Sequence, residues 1–394
     1  MSELPLAGLK VLDLTIARAG PTAVRLLTDW GADVFKLEPP PSDPGSITGG
    51  RHGPDEQNLH RNKRGICLNL KNEAGYEAFL QMVEQVDIFV ENFRAPVKAK
   101  LKIDYETLCA INPRLIYASI SGFGQEGPYS DRAGVDQIVQ GMSGLMSITG
   151  KKGGEPTRAG IAISDTTAGM FLAQGILLAL ISRTTSGKGQ WVHTSLLEGM
   201  LCKLDFQGAR YTMRGDIPQT QGNNHPTSFP MGTFKCKDGY INLAAPTDRM
   251  WYRFLDAIDD NELRSDPLFS SVRNRMKNKD KLETSMNSVL QKFDVATLVE
   301  RVNKVGVPCG PIFNVGEAFE DTQAKFLKMT KPAKHRTIGE VNLIRSPINM
   351  SAHPHTETFD SAAPDPGEHT AEVLAEFGFV QEQIEELYSV GAVS

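Results

Sequence analysis

Leu9-Lys-Val-Leu-Asp-Leu-Thr15 and Ala32-Asp-Val-Phe-Lys-Leu-Glu38 decide the fold. Each is a short apolar run of the length of one buried strand. Between them, Gly20-Pro21 opens a helical pattern, because proline suits a first turn. Ala23, Leu26, Leu27 and Trp30 recur on one face of Thr22–Trp30, and Gly31 stops it. Strand, helix and strand in this order form a parallel crossover unit. The alternation continues outward. A helix is expected over 73–86, a strand over 87–90, a short helix over 105–111 and a strand over 115–120. The expected fold class is therefore α/β, with a doubly wound parallel sheet. Ser42–Asn62 is polar and rich in Gly and Pro, which predicts a long surface loop.

The middle of the chain reads differently. Thr166–Ser182 is apolar on all sides, which predicts a buried helix. A strand is expected over 191–195 and a helix over 196–208, followed by a polar linker over 211–230. Thr233–Leu243 reads as a hairpin turning at Asp238-Gly239. Helices over 250–258, 281–293 and 295–305 complete a smaller α+β unit. Two further helices, over 370–377 and 381–388, follow a stretch rich in Pro and His.

Composition narrows the function. The chain has 394 residues, with 42 Lys and Arg against 47 Asp and Glu, a net charge of −5. A nucleic-acid partner would normally require a basic excess. The longest apolar stretch, Met170–Ile181, is interrupted by Gln174 and is short for a membrane span, so no membrane partner is expected. Five scattered cysteines form no C-x-x-C pair, which suits a reducing compartment, the cytoplasm. No metal-ligand motif occurs, and His353 and His355 read as a solvated loop pair, so no metal is expected.

Several local motifs carry possible chemistry. Gly122-x-Gly124-x-x-Gly127 follows a strand but opens no helix, so it fails as a dinucleotide fingerprint. Gly141-Met-Ser143-Gly144 falls one residue short of a nucleophile elbow. Asp165 stands before the apolar helix. On the residues alone, helix capping is its simpler role. A desolvated carboxylate at a helix start is also placed to act as a nucleophile. Basic residues gather at Arg94, Lys98, Lys100 and Lys102, and again at Arg61, Lys63, Arg64 and Lys71. Such groups either form a solvated face or, at the carboxyl ends of parallel strands, suit a phosphate-bearing ligand.

Eleven segments in order resemble the family III CoA-transferases. They are Leu6–Thr15, Ala19-Gly-Pro21, Gly31–Pro40, Asn62–Gly65, Glu91-Asn-Phe93, Asn112–Ser119, Gly122–Pro128, Ser186–Gln190, Gly222-Asn-Asn-His-Pro226, Gly306–Pro311 and Gly367–Thr370. The resemblance implies a large CoA-binding domain from 1–210, a small domain from 225–325, and a C-terminal segment, 326–394, returning to the large one. It implies an interlocked homodimer. It further implies that Asp165 is a catalytic nucleophile passing through a mixed anhydride and an aspartyl-CoA thioester, with acyl-CoA and small carboxylic acids as substrates and no cofactor.

The CoA-binding positions implied are Arg18, Ala19, Lys71, Asn92, Phe93 and Lys100. Asp136, Gly222, Asn223, Asn224 and His225 match positions near the active site. Departures occur at Arg18, where the family often has Gln, at Pro39 and Lys100, where it often has Arg, and at Gly222–His225, which replaces a glycine run. The alternatives are an enzyme like α-methylacyl-CoA racemase and a non-catalytic acyl-CoA-binding protein. The racemase branch places His before the Asp136 position, where this chain has Val135, which moves no proton.

Overall fold

A computed structural model describes residues 4–40 and 50–394. Six parallel strands form the main sheet: β1 (Lys10–Asp13), β2 (Asp33–Glu38), β3 (Lys63–Cys67), β4 (Ile88–Glu91), β5 (Ile116–Ser121) and β6 (Gln190–Ser195). Their spatial order is β3-β2-β1-β4-β5-β6. The order reverses between β1 and β4, and an open sheet of this kind offers its ligand crevice at the carboxyl ends flanking such a switch.

Ten helices follow in chain order over the same region. They are α1 (Ala19–Thr28), α2 (Pro54–His60), α3 (Glu73–Val83), α4 (Ala95–Leu101), α5 (Tyr105–Ile111), α6 (Asp136–Met142), α7 (Leu145–Ile148), α8 (Ile163–Ser186), α9 (Leu196–Lys203) and α10 (Asp205–Arg214). Strand alternation sorts the side chains. Leu12, Phe35, Phe89 and Tyr117 enter one buried face, with Phe79 of α3 and Phe377 of the C-terminal segment. Val11, Val34, Ile88 and Ile116 enter the other, with Val24 of α1 and Leu172 and Ile176 of α8. Each fully buried side chain of this size contributes about 1.5–3 kcal/mol.

The C-terminal segment is tied to β3. Thr370 Oγ1 accepts from Cys67 N at 3.1 Å, and the Phe35 and Phe377 rings meet edge-on at 5.0 Å. The chain divides into two compact units, Met1–Leu145 with Ala159–Asp216 and Lys328–Ser394, and Met146–Arg158 with Ile217–Leu327. The second unit holds an antiparallel sheet, β7 (Met231–Lys235), β8 (Tyr240–Ala244) and β9 (Cys309–Pro311), in the order β7-β8-β9. Trp251, Phe254, Leu282 and Leu298 form its core.

Several expectations are corrected. Of the loop expected over 42–62, residues 42–49 lie outside the described residues. The rest is not loop, because Pro54 starts α2, which buries Leu59 and His60. The strand β3 follows at once; its charged sequence, Lys-Arg-Gly-Ile-Cys, hides it from apolar pattern. The linker expected over 211–230 begins later, because α10 runs to Arg214. The hairpin β10 (Thr330–His335) and β11 (Gly339–Ile344) occupies the stretch read as merely Pro- and His-rich.

The apolar helix is α8, and it is buried on one side only. Its inner side packs on α1, α9, β5 and β6. Met170, Leu177, Leu178 and Ile181 are exposed, the last two by 68% and 66%. Its 24 residues make it long and apolar enough to cross a membrane, longer than the stretch Met170–Ile181 suggests.

Candidate active site

The site is built where α1, α6 and α8 begin. Gly169 sets the first constraint. A Cβ there would stand 2.5 Å from the Ala19 carbonyl oxygen, so only glycine lets α8 approach α1 this closely. Asp165 lies one turn earlier on the same side of α8, about 6 Å along the axis. It is not the cap. Ala162 occupies the N-cap position and provides no side-chain acceptor, while Asp165 sits within the first turn.

The missing cap is supplied from α6. Asp136 Oδ1 accepts the Ser164 backbone N–H at 2.8 Å, which satisfies one of the orphan donors of the α8 start. Asp136 Oδ2 accepts from Gln140 Nε2 at 2.7 Å. Gln140, itself fully buried, also donates to the Ile161 carbonyl and accepts from Ala159 N, at 3.2 and 2.8 Å. The segment entering α8 is thereby fixed. Gln140 and Ser164 are structural partners that the motifs did not single out; the i, i+4 spacing of Asp136 and Gln140 was the available signal.

Asp165 is left different from every neighbour. Among the described residues its carboxylate has no hydrogen-bond partner. Burial pushes its pKa up to about 6, the Asp136 charge adds to the rise, and Arg18 opposes it. Half-buried, unpartnered and still ionised at neutral pH, this carboxylate is available to attack an electrophile. Ser143, by contrast, is buried, with its hydroxyl donating to the Gln140 carbonyl, and presents no nucleophile.

At the switch point, Asn92 bridges the loops after β1 and β4. Its Oδ1 accepts from Ile16 N at 2.9 Å and its Nδ2 donates to Ile16 O at 2.7 Å. Ala17 takes φ 61°, turning the chain into Arg18 and Ala19 at the head of α1. Phe93 N donates to Glu91 Oε2 at 2.7 Å, and the ring packs beside the core. Lys71 is exposed in the turn between β3 and α3, and Lys100 is exposed in the last turn of α4.

The two basic groups divide. Arg61 holds Asp29 through two bonds of 2.8 and 2.6 Å. Lys63 holds Asp13 at 2.8 Å with both side chains fully buried. Arg64 holds Asp33 and Glu376. Lys98 is buried against Glu91 and Gln125, at 3.2 and 2.6 Å. These four are committed to ion pairs within the chain, and neither a solvated face nor a phosphate site describes them. Lys71, Arg94, Lys100 and Lys102 remain exposed.

Gly222, Asn223, Asn224 and His225 belong to the second unit. They line a cavity of about 670 Å³ together with Gly232 and Cys309. Gly222 takes φ +64°, and a Cβ at Gly232 would stand 2.2 Å from Asn224 Oδ1.

Among the described residues, His52, His335 and Asp365 bring metal-type atoms within 4.8 Å of one another. Their chemistry does not suit a metal. His335 Nδ1 accepts from Thr337 N at 2.9 Å, so the neutral ring carries its proton on Nε2. That nitrogen is the one facing Asp365, at 3.9 Å, and it has no lone pair to give. His355 is not a free loop histidine either; its ring nitrogen meets Ile348 O and Arg345 at 2.7 and 2.8 Å.

The model of CoA-transferase family III matches residues 6–370. The chain belongs to this family. The succinate–glutarate CoA-transferase of Agrobacterium fabrum is 35% identical, over 96% of this chain and 96% of that protein. The acetyl-CoA:oxalate CoA-transferase of Acetobacter aceti is 36% identical, over 95% and 96%. A CAIB/BAIF family protein from Brucella suis has a solved structure with TM-score 0.85 and 34% identity, covering 95% of this chain and 100% of that one. The protein is thus an enzyme, a family III CoA-transferase, acting on acyl-CoA and carboxylate substrates.

Proposed function

We propose that this CoA-transferase moves CoA between two carboxylic acids by covalent catalysis at Asp165. The observation that carries the reading is the unpartnered Asp165 carboxylate at the start of α8, raised to about 6 beside Asp136 and Arg18. The carboxylate attacks the donor thioester carbonyl, the C–S bond breaks, and a mixed anhydride forms with release of CoA thiolate. The thiolate attacks the aspartyl carbonyl, giving an aspartyl-CoA thioester and the free donor acid. The acceptor carboxylate then attacks, and the two steps run in reverse.

Acyl activation is kept at each stage, so the steps require no cofactor. Partial burial protects the anhydride from water. The positive end of α8 lies at the reacting carbonyl.

CoA is assigned to the carboxyl edge of the main sheet, along the backbone of Arg18 and Ala19, with Asn92 and Phe93 at the switch point and Lys71 and Lys100 toward its phosphates. Succinate, glutarate and oxalate, named for the relatives, are all dicarboxylic acids, which supports dicarboxylic substrates here. The exposed apolar stripe of α8 supports a homodimer, interlocked as the family resemblance implies, because such a stripe is costly to leave in water. Five cysteines, none in a disulfide, suit the cytoplasm.

Hydroxylamine added during turnover tests the reading. Peptide mass spectrometry is expected to show a hydroxamate on Asp165, and an unmodified Asp165 peptide under turnover rejects covalent catalysis.

A further inference from the structure

Arg18 differs from Arg61 and Arg64, which also sit beside the main sheet. Arg61 and Arg64 each place two or more nitrogens on carboxylates. Among the described residues the Arg18 side chain makes one hydrogen bond, from NH2 to Asp55 Oδ2 at 2.5 Å. A guanidinium offers five donors in a fork matched to a carboxylate, so among the described residues most of this fork is unfilled. The pair is also open, with side-chain exposures of 33% for Arg18 and 60% for Asp55. An ion pair so exposed is weakly held and readily exchanged.

Its position is fixed more firmly than its partner. Arg18 is the N-cap residue of α1, and α1 is locked to α8 where Gly169 meets Ala19. Asp165, one turn before Gly169, therefore lies on the side of α8 that faces the head of α1. Among the described residues Arg18 is the cation that lowers the Asp165 pKa against the rise from burial and Asp136.

We infer that Arg18 is the specificity residue of the transferase, receiving the second carboxylate of a dicarboxylic substrate, and that Asp55 occupies the fork until substrate displaces it. Asp55 is itself a carboxylate on this fork and shows what the fork accepts. The electrostatics favour the exchange at the right stage. Once Asp165 is esterified to sulfur its negative charge is gone, and the Arg18 field acts on the incoming acid alone. A guanidinium bound to the attacking carboxylate would blunt its nucleophilicity, which assigns Arg18 to the other end of the acid. Asp55 acts through Arg18 and is a positioning residue.

This inference rests on the assignment of Asp165 as nucleophile, and the test separates the two. With acetyl-CoA as donor, kcat/KM is measured for succinate and butyrate, which match in chain length. The native enzyme is expected to prefer succinate. Arg18→Gln is expected to lower the succinate/butyrate ratio at least ~20-fold, the scale of one lost charged contact, with Arg18→Lys in between.

Asp55→Asn is expected to lower the KM for succinate two- to fivefold, and to move the KM for butyrate less. No succinate preference in the native enzyme, equal losses for both acids in Arg18→Gln, or an unmoved succinate KM in Asp55→Asn each overturns the role of Arg18. Hydroxamate formation on native Asp165 is scored in parallel. Its absence rejects the nucleophile, while its presence with an unchanged acid ratio rejects Arg18 alone.

Discussion

Asp13 and Asp165 are two aspartates of one unit with opposite treatments. Asp13 ends β1, fully buried, and accepts from Lys63 Nζ, Thr15 N and Thr15 Oγ1 at 2.8, 2.9 and 2.6 Å. Its lone pairs are committed to protein donors. Asp165, in the first turn of α8, has no donor among the described residues, a like charge at Asp136 and a pKa near 6. Burial alone does not make a carboxylate reactive. What separates the two is whether the fold supplies hydrogen-bond donors to the buried charge.

The comparison breaks most decisively at catalysis. Asp165→Ala is expected to lower steady-state transfer at least ~10³-fold, as loss of a covalent nucleophile does. CoA retention, followed by calorimetric titration, is expected to persist. Asp13→Asn should act on stability instead. It leaves the Lys63 ammonium buried with its counter-charge removed, at a cost of about 3–5 kcal/mol, read from denaturant unfolding.

A third test exploits the sign of the Asp165 shift. The folded pKa lies above the unfolded value, so the folded state holds this proton more tightly, and stability declines as pH rises from about 4 through about 6. Asp165→Asn removes that penalty. Reduced for partial exposure, the gain is expected to be about 1–2 kcal/mol at pH 8, shrinking toward zero at pH 4. A loss of stability at pH 8 would restore the capping role.

The smallest effect concerns Asp136. The rate should fall below about pH 6 as Asp165 is protonated. Asp136→Asn keeps an acceptor for Ser164 N while removing the like charge, and is expected to move this acid limb to lower pH. A pH–rate profile of kcat/KM reads it.

Much of this was legible in the sequence. Val11, Val34, Ile88 and Ile116 fall in strands that alternate with helices, and that pattern yields the parallel sheet. Eleven motifs in register yield the family. What escaped was set by pairing across distance. β3 is a strand because Lys63 finds Asp13 and Arg64 finds Asp33, partners 50 and 31 residues away. The N-cap assignment of Asp165 failed because Asp136, 28 residues earlier, already serves the Ser164 N–H. The outer face of α8 defeated periodicity, since exposed apolar residues and core ones look alike in one dimension. Asp55 carried no motif at all, and only its distance to Arg18 draws notice.

The glycine at 169 has a broader consequence. With no methyl group tolerated between α1 and α8, Asp165 and Arg18 are mounted on a single stiff bracket. On the roles proposed above, acid preference can be retuned by changing the side chain at position 18 while the Asp165 carboxylate stays where it is.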